Sequence, residues 1–281
     1  MRQPFDMRPP RPRQSRTSPP RAHHSCRPRA GERWLYGRHT VAAALANPER
    51  RWRRLVALAG QEAEAQQLLA GAVAERRATS AAALQILERE ALGALLPPGS
   101  VHQGFALEVE PLPAIAFGDL LRELETTPAR SIILLLDQIT DPQNIGAVLR
   151  SAAAFGARAV LTAAHGAPPI TGALAKAASG AVDRLPLIRV ANLVQALARL
   201  KENGFWVCGL DETAEQSLSD VELGARVALV LGSEGSGLRR LVREHCDYLA
   251  RLPTSSAQPS LNVSNAAAVA LYELARDRKT Q

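Results

Sequence analysis

Residues 132–136 read Ile-Ile-Leu-Leu-Leu and end at Asp137. The run has the length of a strand and does not alternate. A strand with one wet face alternates apolar and polar side chains, whereas an unbroken apolar run is buried on both faces. The usual setting for such a strand is a parallel sheet between two helical layers. The pattern that follows agrees. Strand-like runs at 159–162, 205–210 and 227–231 alternate with helical spacing over 145–155, 171–178, 193–201, 238–244 and 263–278. Asn192 precedes one of these helices as a predicted N-cap. Strands alternating with helices predict an α/β domain with a parallel sheet, and ligands in such sheets bind beyond the carboxyl ends of the strands.

The chain has 281 residues, enough for more than one domain. Upstream of the parallel-sheet pattern, residues 34–110 read as a small α/β module. It has helical spacing at 39–46 and 62–77, strands at 53–59 and 105–110, and a turn at Pro97-Pro98-Gly99. A linker with proline near both ends and a short helix over 117–124 follows. The expected division is a tail 1–31, an N-terminal domain 32–111, a linker 112–130 and a C-terminal domain 131–281.

The formal charge is +7, and residues 1–30 carry all of that excess, with eight Arg against the single acid Asp6. With seven Pro and almost no apolar periodicity, this tail is expected to be disordered. A basic arm suits an anionic polymer such as RNA, or is simply a solvated extension. It lacks the apolar core of a secretory signal, and no run approaches the ~20 apolar residues that span a bilayer. Cys26, Cys208 and Cys246 have no metal-type spacing and read as reduced thiols of a cytoplasmic protein. The His residues form no ligand cluster either, so no metal is expected.

Three polar stretches lie where strands end. Leu231-Gly232-Ser233-Glu234-Gly235-Ser236-Gly237 joins a strand to a helix. Its spacing is neither GxGxxG nor GxxxxGK[ST], and Glu234 puts a carboxylate where a phosphate would sit. The loop suits a cation or a hydrogen-bond donor, or is a tight turn needing glycine torsions. In Asp137-Gln138-Ile139-Thr140-Asp141-Pro142-Gln143-Asn144-Ile145-Gly146, Asn144 lies at a helix start as a candidate cap. Arg150 follows on that helix, where a cation opposes the macrodipole and calls for an anionic partner, a protein carboxylate or an RNA phosphate. Ser260, Asn262 and Ser264 precede the last helix, and Asn262 or Ser264 can cap it.

Taken together, Asn144-x-Gly146-x-x-x-Arg150, Leu231-Gly232-Ser233-Glu234-Gly235-x-Gly237-Leu238 and Ser260-Leu261-Asn262-Val263-Ser264 resemble the three ordered motifs of the SpoU/TrmH family of SPOUT RNA 2′-O-methyltransferases. Tyr36-Gly37-Arg38-His39-Thr40-Val41 and Val101-His102-Gln103-Gly104 are similar to the ends of that family's N-terminal RNA-binding module. Val242-Arg243-Glu244-His245-Cys246-Asp247 resembles the RlmB-type branch, which modifies guanosine in 23S ribosomal RNA. The resemblance implies a deep trefoil knot in the parallel-sheet domain, S-adenosylmethionine as cofactor, a ribosomal RNA substrate and a homodimer. It implies catalytic or RNA-contacting roles for Asn144, Arg150, Glu234, Ser260 and Asn262. Cofactor contacts are implied for Leu231, Gly232, Leu252, Ser260 and Leu261. The family commonly has IPMxG where this chain has Leu252-Pro253-Thr254-Ser255-Ser256, so a cofactor loop of different shape is expected. Transfer RNA as substrate, a non-catalytic RNA-binding member of the fold and a nucleotide-dependent oxidoreductase are the competing readings. Arg33, Arg38, Arg50, Arg51, Arg53 and Arg54 cluster at the module's start and are candidate RNA contacts or a solvated face. His39 and His102 are candidates for RNA contact or for structure, and Trp34 and Trp52 for packing.

Overall fold

The computed structural model describes residues 33–74, 83–126, 130–255 and 260–276. The basic tail and Ser256 lie outside the described residues. Two sheets organise the chain. The first is built from β1 (Trp34–Tyr36), β2 (Trp52–Leu58), β3 (Ala83–Leu87) and β4 (Phe105–Val109), with α1 (Arg38–Ala46), α2 (Glu62–Ala74) and α3 (Arg89–Ala94) between them. Its order is β1-β4-β2-β3. β4 runs antiparallel to β1 and β2, while β2 and β3 are parallel. Sequence periodicity does not reveal β1, because Trp34, Leu35 and Tyr36 are all buried and three residues carry no alternation.

After α4 (Phe117–Glu125), the second sheet is built from β5 (Ser131–Leu136), β6 (Ala159–Ala163), β7 (Leu187–Val190), β8 (Trp206–Leu210), β9 (Arg226–Leu231) and β10 (Tyr248–Ala250). Its order is β10-β8-β9-β5-β6-β7, and every neighbouring pair is parallel. The helices are α5 (Pro142–Ala154), α6 (Gly172–Ala177), α7 (Leu193–Glu202), α8 (Arg240–Glu244) and α9 (Val263–Arg276). A 3-10 turn, Ala181–Asp183, follows α6.

The unbroken apolar run is explained by what lies on each side of β5. Ile132, Leu134 and Leu136 enter one core, shared with α5, α6, α9 and the first sheet. Ile133 and Leu135 enter a second core, shared with α4, α7 and α8. Each of these five side chains is fully buried, which contributes roughly 1.5–3 kcal/mol apiece. A polar residue anywhere in the run would therefore face a core.

Two helix starts bear on the site. Asn192 caps α7, accepting from Val194 N at 2.8 Å and Gln195 N at 3.3 Å, as its position predicted. At α5 the cap is Asp141 rather than Asn144. The Asp141 carboxylate accepts from Gln143 N at 3.3 Å and Asn144 N at 3.0 Å, and Pro142 takes the first helical position, where no N–H is needed. The Asn144 side chain is thereby left available for something else.

Candidate active site

The Gly-rich loop leaves β9 and folds back on itself. Ser233 N donates to Gly237 O at 3.2 Å, and Gly237 N donates to Ser233 O at 2.9 Å. Gly235 and Gly237 have φ of 82° and 64°, which favour glycine. Gly232 is needed for space: a Cβ there would lie 2.3 Å from the Gly237 carbonyl carbon. The far end of the loop is pinned by Asp137, fully buried at the end of β5. Its carboxylate accepts from Arg239 N at 2.8 Å and Arg239 Nε at 2.7 Å.

This frame presents Glu234 to the other two polar stretches. Glu234 Oε1 accepts from Asn262 Nδ2 at 2.6 Å, from Asn144 Nδ2 at 3.3 Å and from Val263 N at 3.3 Å. Asn262 Nδ2 also donates to Asn144 Oδ1 at 3.0 Å. Asn262 Oδ1 accepts from Ser264 N at 2.9 Å and Ser264 Oγ at 2.5 Å. Asn262 thus caps α9 with its oxygen and ties three loops together with its nitrogen. Segments 118 and 28 residues apart in sequence meet at one carboxylate oxygen.

Beside this node opens a cavity of about 490 Å³ at the carboxyl ends of β8 and β9. Leu231, Gly232, Glu234, Leu252, Ser260, Leu261 and Asn262 all line it. Thr254, from the departure in the Leu-Pro-Thr stretch, lines it too. Asn144 reaches the node but not the cavity wall. Arg150 lies on neither. It follows Asn144 by six residues, about 240° around α5. It is exposed, and among the described residues it makes no ion pair.

One wall has no counterpart in the expected site. Arg243 Nη1 pairs with Asp211 Oδ2 at 2.8 Å, Thr213 Oγ1 donates to Asp211 Oδ1 at 2.6 Å, and all three residues line the cavity. Asp211 sits just past the end of β8, the position where ligand loops of such sheets arise. That position was the available signal.

The remaining candidates divide. Arg50 is buried and paired with Asp183, so it is not part of an RNA-facing cluster. Arg38, Arg53 and Arg54 are paired with Glu64, Glu110 and Glu108. His102 is structural: its Nδ1 accepts from Gly104 N at 3.1 Å, and burial followed by nearby Arg89 lowers its pKa. His39 is exposed. Trp34 and Trp52 are packed, with the Arg54 guanidinium over the Trp34 ring at 5.1 Å. Cys208 and Cys246 are free thiols whose pKa burial pushes up to about 12. Among the described residues, no group of acids, His and Cys could hold a metal ion, and no helix is long and apolar enough to cross a membrane.

Residues 131–272 match the family model described as the SpoU rRNA methylase family, and residues 34–114 match that of RNA 2′-O ribose methyltransferase substrate binding. The chain belongs to the SpoU rRNA methylase family. Its SpoU relatives include the 23S rRNA (guanosine-2′-O-)-methyltransferase RlmB of Pseudomonas putida. The two are 42% identical over 183 residues, covering 64% of this chain and 73% of that protein. An uncharacterized tRNA/rRNA methyltransferase of Synechocystis is 41% identical over 177 residues, covering 63% of this chain but only 46% of that longer protein. The crystal structure of the SpoU methyltransferase AviRb from Streptomyces viridochromogenes is similar in fold. It has a TM-score of 0.71 at 26% identity, covering 89% of this chain and 91% of that one. AviRb has also been solved in complex with AdoMet. The SpoU domain of this chain is the six-stranded parallel sheet with its helices, and the substrate-binding domain is the four-stranded sheet.

Proposed function

We propose that this chain transfers the methyl group of S-adenosylmethionine to the ribose 2′-oxygen of a guanosine in 23S ribosomal RNA. The observation that carries the reading is the meeting of Asn144, Glu234 and Asn262 at one oxygen, on the rim of a cavity lined by the expected cofactor residues. Its support from relatives is the RlmB enzymes and the matched substrate-binding domain.

The cavity fits the cofactor. Its volume lies within the roughly 300–1,000 Å³ of small-molecule sites. Leu231, Leu252 and Leu261 offer apolar walls, while Ser233, Ser260 and Thr213 offer hydrogen-bonding groups. The close approach of backbone at Gly232 leaves main-chain groups to face a ligand. When bound, S-adenosylmethionine supplies an electrophilic methyl group. The protein then has to position the ribose hydroxyl and exclude water, and orientation alone contributes up to ~7–11 kcal/mol in well-aligned cases. Glu234 Oε1 is committed to three N–H donors, so its part is to hold Asn144 and Asn262 in place. Asn262 spends its amide on the node and the α9 cap, whereas Asn144 keeps one N–H and one lone pair with which to hold the ribose or the guanine edge. The 2′-hydroxyl proton leaves to an RNA phosphate oxygen or water. Arg150 stays charged, clamps a phosphate and stabilises the negative charge that develops on the 2′-oxygen.

The same reading includes a homodimer, a deep trefoil knot formed by the chain after β9, a cytoplasmic location and the four-part division at residues 31, 111 and 130. The exposed Val269 and Tyr272 of α9, at 47% and 57%, support pairing of two chains through this face. α5 packs against α9, with Phe155 edge-on to Tyr272, and in this reading the exposed Arg150 of α5 lies close to the paired face. Mapping 2′-O-methyl groups in RNA from a deletion strain tests the substrate. Loss of one guanosine mark in 23S RNA is expected, and loss of a transfer RNA mark alone would overturn the assignment. In Arg150→Ala, kcat should fall by about 10²–10³-fold, as for removal of one charge-stabilising donor. Cofactor affinity should not change, because Arg150 does not line the cavity. An Arg150→Ala protein of wild-type kcat would remove Arg150 from the reaction.

A further inference from the structure

The substrate-binding sheet and the methyltransferase sheet share one apolar core. Leu35, Val41, Ala44 and Leu45 pack with Leu174, Ala175, Ala178 and Val182. The contact is close. A Cβ at Gly172 would lie 2.4 Å from Trp34 O, and one at Gly180 would lie 2.4 Å from Ala43 Cβ. Thr40 Oγ1 donates to Ala175 O at 3.3 Å across the seam. Apolar packing is non-directional, so it holds the two sheets together without by itself selecting one orientation.

A charged contact is buried in the same seam. Arg50 Nε pairs with Asp183 Oδ1 at 2.7 Å, with side-chain exposures of 3% and 0%. The same Oδ1 accepts from Asn47 Nδ2 at 3.2 Å, and Arg50 Nη1 donates to Glu110 O at 3.1 Å. One guanidinium therefore joins the turn after α1, the residue that follows β4 and the 3-10 turn of the methyltransferase domain. The geometry is not tuned for strength. Arg50 Nη2 and Asp183 Oδ2 are buried with no hydrogen-bond partner. Buried ion pairs with unmet atoms are poor glue: an apolar replacement of similar volume is often as stable or more so. What such a pair can supply is registry, since only one orientation brings the charges together.

We propose that Arg50 and Asp183 are positioning residues: their buried pair, with Asn47 and the Glu110 carbonyl, fixes the orientation in which the substrate-binding sheet presents RNA to the methyltransferase site. The proposal rests on the RNA-methylation reading. It also makes a claim about the free protein that stands without that reading. The pair touches neither the cavity nor its rim, so its effect on transfer passes through the seam alone.

The test uses the full chain with the apolar double variant Arg50→Met/Asp183→Leu and, independently, the wedge Gly172→Ala. Four readouts are compared with wild type. They are thermal midpoint, calorimetric affinity for S-adenosylmethionine, affinity for an unmodified 23S RNA transcript, and the single-turnover transfer rate at saturating transcript. The expected result for the double variant is an unchanged or raised midpoint, both affinities within threefold, and a transfer rate at least tenfold lower. The wedge should lower the rate likewise. A wild-type rate in the double variant overturns the proposal. So does a rate that falls only in step with midpoint or affinity, which marks an ordinary structural contact. A spin-label distance between Gln67→Cys and Glu202→Cys, in a Cys26→Ser background, reads the orientation directly. Wild type should give one narrow distance, and the double variant a broadened or displaced one. An unchanged distance also overturns the pin. If wild type methylates no RNA, the functional reading fails, and the distance measurement still decides the pin.

Discussion

Gly232→Ala should weaken cofactor binding far more than it weakens the fold. The new Cβ would lie 2.3 Å from the Gly237 carbonyl carbon, 2.4 Å from its oxygen and 2.6 Å from Leu238 N. Carbon atoms in contact sit about 3.5–4.0 Å apart, so the overlap exceeds an ångström and falls on backbone rather than on a movable side chain. Retreat is blocked on one side by the reciprocal Ser233–Gly237 hydrogen bonds and on the other by the Asp137–Arg239 clamp. Overpacking of this kind costs about 1–3 kcal/mol, which a domain with a typical ~5–15 kcal/mol of stability survives. The loop that must move carries Glu234 and lines the cavity. If about 1.4–2.8 kcal/mol of binding energy is lost with it, affinity for S-adenosylmethionine drops 10–100-fold. Calorimetric titration of the full chain, paired with a thermal melt, measures both quantities. Gly71→Ala is the control: it lies exposed on α2 with no neighbour within 4 Å of its added Cβ, and should leave affinity unchanged. A Gly232→Ala protein that binds the cofactor within twofold of wild type would refute the claim that backbone approach at Gly232 shapes the site.

Two further predictions concern titratable groups. Burial, and then Arg89, hold the His102 pKa below its ordinary 6.5, so between the folded value and 6.5 the unfolded chain binds more protons than the folded one. This contribution to stability is complete above pH 6.5 and is lost as pH falls through that window. Urea midpoints at pH 7.5 and 5.5 should therefore differ less in His102→Gln than in wild type, and an unaltered difference would count against a neutral buried His102. Cys208 and Cys246, with pKa values near 12, should resist iodoacetamide at pH 8 in a folded Cys26→Ser protein. Both should react in urea, as mass spectrometry would record; rapid labelling without denaturant would contradict their burial.

The local pattern carried much of this protein. Residues 132–136 announced a strand buried on both faces because the run is short, lacks alternation and is closed by Asp137, and Asn192 announced its helix because an amide before an apolar period is a favourable cap. The three polar stretches were legible for a related reason: each breaks an apolar run where a parallel strand must end. Other features depended on partners distant in sequence. Asp141, not Asn144, caps α5, and only the position of Glu234 explains why the Asn144 amide is better spent elsewhere. Arg50 looked like one more member of a basic cluster. Its burial against Asp183, 133 residues away, is a product of how the two sheets dock. The Asp211–Arg243 wall likewise exists only because β8 and α8 are brought side by side. Periodicity and capping act over a few residues, so a chain displays them along its length. Which charge meets which, and which cavity results, follows from packing across the whole molecule.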